Sequence, residues 1–316
     1  MPNGFIDMTV LSGNAHPAFA ADICGYLGIK PGKVDVFKFK NDNTFVKILE
    51  NIRQKDVFIV QPMTAPVNDH IMELLIMIDA VKRASAGRIT AVVPHYGYGR
   101  SDKKDQPRVP ITARLVADLL TTAGANRLLT VDLHEGQIQG FFDIPVDELT
   151  ARGVFLDYFT DLNIDDFVVV APDIGASKEA RAFAESMNAP LAIVEKRRVS
   201  NDDSTESLNV IGDVKDRAVL TIDEEISTGG TLLTAIQALT RAGAREIYSC
   251  ATHGVLTDGA AQRIFEIPQL QELVVTDTVA IPIEKRGPKL TVLPISSLLS
   301  EAIRRIHVGE SVGSLF

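Results

Sequence analysis

Short apolar runs alternate along the chain with longer stretches in which apolar positions recur every three or four residues. Residues 57–60, 89–93, 128–131, 167–170, 191–194, 219–222 and 246–251 form the runs and are predicted strands. Most are continuous in Val, Ile and Leu, the pattern of strands covered by helices on both faces of a parallel sheet. Residues 68–84, 111–123, 177–187 and 231–242 carry helical spacing. Repeated strand–helix alternation of this kind predicts an α/β fold.

The pattern contains an echo. Residues 119–136 read LLTTAGANRLLTVDLHEG and residues 238–254 read ALTRAGAREIYSCATHG. Ala123, Gly124, Ala125 and His134 match Ala242, Gly243, Ala244 and His253 at one offset of 119 residues (242 − 123 and 253 − 134). Helix–Gly–strand connections are common, but an offset shared by the turn and the later His points to duplication. The length, 316 residues, suits about two domains of roughly 150 residues. The expected division lies near residue 148, giving one α/β half over 1–148 and a second over 149–316. Residues 198–207, RVSNDDSTES, hold no apolar residue after Val199 and are expected to form a mobile loop.

Composition narrows the class. With 46% apolar residues the chain can bury two cores. Acidic residues outnumber basic ones, 41 to 32, for a net charge of −9. That argues against a nucleic-acid binder with a uniformly basic surface, though not against a local cationic pocket. Two cysteines, Cys24 and Cys250, exclude a disulfide scaffold and favour a reducing compartment. No apolar run reaches the roughly 18 residues of a membrane span. The start, MPNGFIDMTV, lacks the form of a signal peptide. A cytoplasmic protein with no membrane or nucleic-acid partner is expected.

Chemistry first shows in residues 219–231, VLTIDEEISTGGT. An apolar run enters three acids, then a small-residue turn, then a helix. Small residues let backbone N–H groups close around a phosphate, and Ser227, Thr228 and Thr231 add hydroxyl donors. The following helix aims its positive end at the same place. The acids suit sugar hydroxyls or a divalent cation beside the phosphate. The combination reads as a sugar-phosphate pocket. No Lys follows the glycines, so it is not a P-loop. The bland alternative is an ordinary turn with a Thr cap.

This segment resembles the ribose-phosphate loop of phosphoribosyltransferase-type folds. Nearly end to end, the chain resembles the ribose-phosphate pyrophosphokinases. The likeness is carried by YGYGRSDKKDQPRVPITARLVADLL, VDLHEGQIQGFFDIPVDEL, APDIGASKEA, EKRR, IGDVKDR and EAIRRIHVGESVGSLF. The resemblance implies two duplicated phosphoribosyltransferase-like domains, each a mostly parallel sheet flanked by helices, with the active site between them. It implies transfer of the β,γ-diphosphoryl group of ATP to the anomeric hydroxyl of ribose 5-phosphate, giving phosphoribosyl pyrophosphate and AMP, with Mg²⁺ as cofactor. It also implies a homo-oligomer, dimers assembled into hexamers with sites completed across subunits.

The resemblance assigns roles that single residues could not. Alone, EKRR is a charged run; the resemblance sets Lys196 and Arg198 on the transferring group, two cations on a closing loop. A lone His at a strand end reads more readily as structural. The resemblance makes His134 a contact of the Mg–ATP phosphates and a metal ligand, together with Asp173 of the PDIGAS loop. Arg100 and Phe39 would stack on adenine, although Phe39 alone reads as core. Asn41 and Asn43 would border the base, and Asp105 would reach a nucleotide held by a neighbouring subunit. Asp223 and Glu224 would hold the ribose 2- and 3-hydroxyls. Ser227, Thr228, Gly229, Gly230 and Thr231 would cradle the 5-phosphate. His253, in the second copy, is read as structural.

The chain departs from the family pattern in places. The usual loop has two adjacent Asp residues and a third Asp before the phosphate-binding Thr; here they are Asp223, Glu224 and Ser227. Asn43 stands where Glu is usual, which predicts an altered nucleotide preference. Residues 196–212 run about one residue long. Gly313 replaces a Ser found in many regulated members, so a hydroxyl for regulatory phosphate is missing. Two rival readings remain: a catalytically silent regulatory member, and a phosphoribosyltransferase that uses the same sugar loop.

Overall fold

The computed structural model describes residues 7–198 and 206–315, without the side chains of residues 196–198 and 206–207. It divides into two compact units, Met1–Thr150 with Thr278–Ala280 and Pro294–Phe316, and Ala151–Asp277 with Ile281–Leu293.

In chain order the first unit holds β1 (Met8–Ser12), α1 (Pro17–Leu27), β2 (Val34–Lys38), β3 (Thr44–Ile48), β4 (Asp56–Val60), α2 (Val67–Arg83), β5 (Arg88–Val93), α3 (Thr112–Ala123), β6 (Arg127–Val131) and β7 (Val146–Leu149). Five strands form a wholly parallel sheet in the order β1-β4-β5-β6-β7. Every residue of β4 is buried, as the unbroken apolar run predicts. Helix α2 buries Ile71, Leu74, Met77, Ile78 and Val81, one stripe at helical spacing. Strands β2 and β3 stand apart as an antiparallel hairpin.

The second unit holds α4 (Arg152–Leu162), β8 (Phe167–Ala171), α5 (Ser177–Ser186), β9 (Leu191–Arg198), β10 (Glu206–Ile211), β11 (Ala218–Ile226), α6 (Gly230–Arg241), β12 (Glu246–Gly254), α7 (Ala260–Phe265), β13 (Leu270–Thr276) and β14 (Leu290–Leu293). Its sheet runs β10-β9-β8-β11-β12-β13-β14. All neighbours are parallel except β9 with β10.

The echo occupies one structural position in both units. Strands β6 and β12 begin at Arg127 and Glu246, again 119 residues apart (246 − 127). Each is preceded by a glycine with positive φ, +122° at Gly124 and +90° at Gly243. Ala125 N donates to Leu120 O and Ala244 N to Leu239 O, so both helices end by the same wrap of the chain.

The final helix, α8 (Ser296–Val308), belongs to the first unit, where a division at residue 148 puts it with the second half. Its apolar stripe, Leu299, Ala302, Ile303 and Ile306, is buried. Ser300 Oγ donates to Ile23 O of α1. Arg88 donates to the fully buried Asp56 and to Ile306 O, and His307 Nδ1 lies 2.9 Å from Asp56 Oδ2. A contiguous reading of the chain cannot see this return.

The seven predicted strands and four predicted helices all exist, with boundaries shifted by a few residues. The largest shifts are in β9 and β11, which run on into polar sequence. The predicted loop over 198–207 is bounded by paired strands, with Glu206 opposite Arg198 and Leu208 opposite Lys196. The rest of that segment lies outside the described residues. Among the described residues, no helix is long and apolar enough to cross a membrane. Cys24 and Cys250 are both buried free thiols.

Candidate functional site

The nucleotide-side candidates lie on three loops of the first unit. Phe39, Asn41 and Asn43 form the tip of the β2–β3 hairpin. Phe39 N donates to Asn43 O, Asp42 N donates back to Phe39 O, and Asn41 Oδ1 accepts from Asn43 N at 3.3 Å. The Asn41 carbonyl therefore shapes the turn, and its amide nitrogen donates to no protein acceptor among the described residues. Phe39 is not core. It is 49% exposed and meets Phe37 and Phe45 edge-on, a rigid aromatic knob. Lys38 ties the hairpin to α2 through Asp69 at 2.8 Å and also pairs with Asp42.

Arg100 and Asp105 are exposed on the turn after β5. Tyr98, at φ +62°, donates its hydroxyl to Asn68 at 2.6 Å. At Gly99 this turn meets the loop after β6, where a Cβ would stand at an ordinary contact distance of 3.5 Å from His134 Cβ. Lys103 approaches Glu135 to 3.8 Å across the same seam. Arg100 and His134 are thus on adjoining loops at the carboxyl ends of parallel strands, where α/β folds bind ligands. His134 is half-buried.

The sugar-side candidates lie on two loops of the second unit. Asp173 follows β8; its Oδ1 accepts from Ala176 N at 3.0 Å, which curls the PDIGAS loop. Asp223 and Glu224 sit near the end of β11, and Asp223 Oδ1 accepts from Glu224 N at 2.8 Å. Burial, followed by the hydrogen bond and charge of Glu224 and the charge of Asp173, pushes the Asp223 carboxyl up to about 9. The free site therefore carries more acid than it can ionise at neutral pH, a setting that favours a hydroxyl-rich sugar or a cation.

Downstream, Ser227, Thr228 and Gly229 lead into α6, which starts at Gly230. The amides of Thr228, Gly229, Gly230 and Thr231 donate to no protein acceptor among the described residues. The carbonyls on the other side of the turn are engaged: Ile226 O by Leu256 N and Ser227 O by Thr257 N, both at 3.0 Å, and Gly229 O by Leu233 N at 2.8 Å. Ser227 Oγ lies 3.4 Å from Thr257 Oγ1. Amides without a protein acceptor beside carbonyls already engaged make a candidate anion cradle at a helix N-terminus. Thr257 and the segment after β12 were not singled out in the sequence. They lie far from the motif and carry no spacing that links them to it.

Lys196 and Arg198 are placed by their backbone in β9 rather than in a loop; their side chains lie outside the described residues. Among the described residues, no group of three or more His, Cys, Asp or Glu is set to hold a metal ion. The donor chemistry still fits Mg²⁺, which takes one or two carboxylates and completes its shell with water and substrate phosphates.

Comparison with known proteins agrees with this arrangement. Residues 8–124 match the N-terminal domain of ribose phosphate pyrophosphokinase, and residues 199–316 match the phosphoribosyl synthetase-associated domain. A ribose-phosphate pyrophosphokinase of Caldanaerobacter subterraneus is 49% identical over 310 residues, covering 98% of each chain. One of Clostridium acetobutylicum is 47% identical, covering 98% of this chain and 97% of its own. The crystal structure of phosphoribosylpyrophosphate synthetase from Mycobacterium smegmatis superposes with a TM-score of 0.90 at 44% identity, over 95% of this chain and 98% of that one. The fold is that duplicated α/β architecture, and the chain belongs to the ribose-phosphate pyrophosphokinase family.

Two predictions arise from the loops. The raised Asp223 carboxyl means the folded, ligand-free protein holds a proton that the unfolded chain loses near pH 4. The resulting stabilisation is complete below that pH and is lost as pH rises toward about 9. The thermal midpoint of the free protein should fall more steeply between pH 6 and 9 in wild type than in Asp223→Asn. Parallel slopes in a pH series of melts would contradict the assignment. At the C-terminus, Gly313 N donates to Ser311 Oγ at 3.2 Å, and Arg305 donates to Ser311 O and Ser314 Oγ. Both hydroxyls serve as acceptors within the C-terminal segment and position 313 has none to add for a phosphate, so inorganic phosphate should activate the enzyme weakly or not at all. A phosphate titration at fixed Mg–ATP and sugar checks this; saturable activation abolished by Ser311→Ala would show a working regulatory site.

Proposed function

We propose that the chain is an active ribose-phosphate pyrophosphokinase. It transfers the diphosphoryl group of ATP to the anomeric hydroxyl of ribose 5-phosphate and yields phosphoribosyl pyrophosphate and AMP. The observation that carries the reading is the cradle of amides from Thr228 to Thr231 beside the Asp223–Glu224 pair. A phosphate on the amides brings a ribose's hydroxyls toward the acids, so one short segment reads both ends of a sugar phosphate.

The first unit supplies the nucleotide side and the second the ribose-phosphate side. Phe39 and Arg100 stack on the base, Asn41 and Asn43 meet its edge, and Asp105 touches a nucleotide bound by a neighbouring subunit. The cradle of Ser227, Thr228, Gly229, Gly230 and Thr231 fixes the 5-phosphate. Glu224 accepts from one ring hydroxyl, and Asp223, protonated in the free site, can donate or accept. The anomeric oxygen then attacks the β-phosphorus, its bond forms, the bond from that phosphorus to the AMP oxygen breaks with the electron pair leaving on AMP, and the hydroxyl proton is released to water. Lys196 and Arg198 gather the charge that spreads over the diphosphoryl oxygens. His134 and Asp173 would each offer a ligand to Mg²⁺ carried with the triphosphate, and the cation would offset the charge of that group.

Incubation of the pure protein with ATP, Mg²⁺ and ribose 5-phosphate should give AMP and phosphoribosyl pyrophosphate in equal amounts. No AMP would favour a silent regulatory member. Product from phosphoribosyl pyrophosphate and free bases would favour a transferase. A cytoplasmic homo-oligomer of hexameric order belongs to the same reading, and sedimentation tests its assembly.

A further inference from the structure

Four consecutive carbonyls of the phosphate loop, Ile226 to Gly229, accept hydrogen bonds, three of them from backbone amides, which any residue but proline could supply. The fourth, Thr228 O, takes its hydrogen bond from a side chain, Arg263 Nη2, at 2.7 Å. Arg263 Nη1 donates to Asp258 O at 2.5 Å, so the guanidinium clips the loop to the turn that begins α7. This bond has more consequence than its count suggests. A trans peptide holds its C=O and N–H on opposite sides of one plane. Thr228 O and Gly229 N belong to the same peptide unit, so an outward carbonyl there means an inward amide. Gly229, at φ +76°, has no Cβ to resist rotation of that unit. Unclipped, the peptide could turn over at small cost, removing a donor from the phosphate and putting a carbonyl oxygen in its place.

We propose that Arg263 is a positioning residue for the sugar phosphate, locking the Thr228–Gly229 peptide with its amide toward the 5-phosphate. The proposal rests on the cradle reading above. Its charge adds to the effect, because a guanidinium behind the peptide polarises the carbonyl and strengthens the N–H as a donor. Arg263 touches neither substrate nor reacting atoms. Its loss should therefore appear in sugar-phosphate affinity and leave chemistry and nucleotide binding in place.

The test is calorimetric titration of ribose 5-phosphate into wild type, Arg263→Ala and Arg263→Lys, with steady-state kinetics and melting curves alongside. Arg263→Ala should weaken ribose 5-phosphate binding and raise its KM about tenfold, the effect of one charge-assisted hydrogen bond. The kcat should stay within about twofold and the KM for ATP should not move. Arg263→Lys, whose single ammonium can reach one carbonyl, should recover part of the affinity. Equal affinity in wild type and Arg263→Ala would overturn the proposal while leaving the cradle intact. So would a loss shared equally with ATP or tracking a fall in melting temperature in both variants, since that marks a merely structural arginine. A wild type that binds no ribose 5-phosphate would sink the functional reading itself.

Discussion

Lys196→Ala and Arg198→Ala should each lower turnover by roughly 10²–10³-fold, the loss expected when one group stabilising transition-state charge is removed. Affinity for ribose 5-phosphate should stay within about threefold, because these cations are proposed to act on the transferring group and not on the sugar. The backbone supports this division. Both residues are in β9, at positions paired with Leu208 and Glu206 of β10, while the proposed sugar contacts are on β11 and the loop beyond it. The resemblance assigns residues 196 and 198, not Arg197, to the transferring group, so Arg197→Ala is the internal comparison, expected to retain most of the turnover. Pre-steady-state mixing with ribose 5-phosphate and Mg–ATP separates chemistry from product release. If either variant kept near-normal turnover while its affinity for the sugar collapsed, the assignment to the transferring group would fail.

How much of this was legible beforehand differs by element. The buried strands could be read because both faces of β4, β5 and β8 are covered, which leaves no polar alternation to confuse the run. Strand β2 escaped the reading. It alternates half-buried with exposed positions in a hairpin outside the main sheet, so no continuous apolar signal marks it. Strand β10 sits at the sheet edge and begins at Glu206, inside the polar segment that reads as loop. The phosphate loop was readable because its chemistry is local: glycines, hydroxyls and a helix start within a few residues. Arg263 and Thr257 were not, since their role depends on the return of the chain after β12. The placing of α8 was hidden for the same reason, as Asp56, Arg88 and His307 come together from three distant segments.

The two glycines of the cradle should respond differently to the same side chain. Gly229 has φ +76°, and a Cβ on it would stand 3.1 Å from Ile264 Cδ1 and 3.4 Å from Ala260 Cβ. Valine there fights both the backbone and α7, so Gly229→Val should lose stability as well as binding. Gly230 has no positive φ, and the nearest atom to its Cβ is Thr228 Oγ1 at 3.7 Å, with open space otherwise. The protein can accept valine at this first helical position at a cost of under about 1 kcal/mol. The ligand cannot, because the added methyls stand beside the hydroxyl and amides that would surround the phosphate. Gly230→Val should therefore melt within a few degrees of wild type yet bind ribose 5-phosphate roughly 100-fold more weakly, as loss of two or three charge-assisted hydrogen bonds would give. Gly230→Ala, one carbon instead of three, should fall between them. Calorimetry and melting curves on the three variants separate the effects. Unchanged affinity in a well-folded Gly230→Val would remove the phosphate from this loop, and with it the inward-facing amides as its ligands.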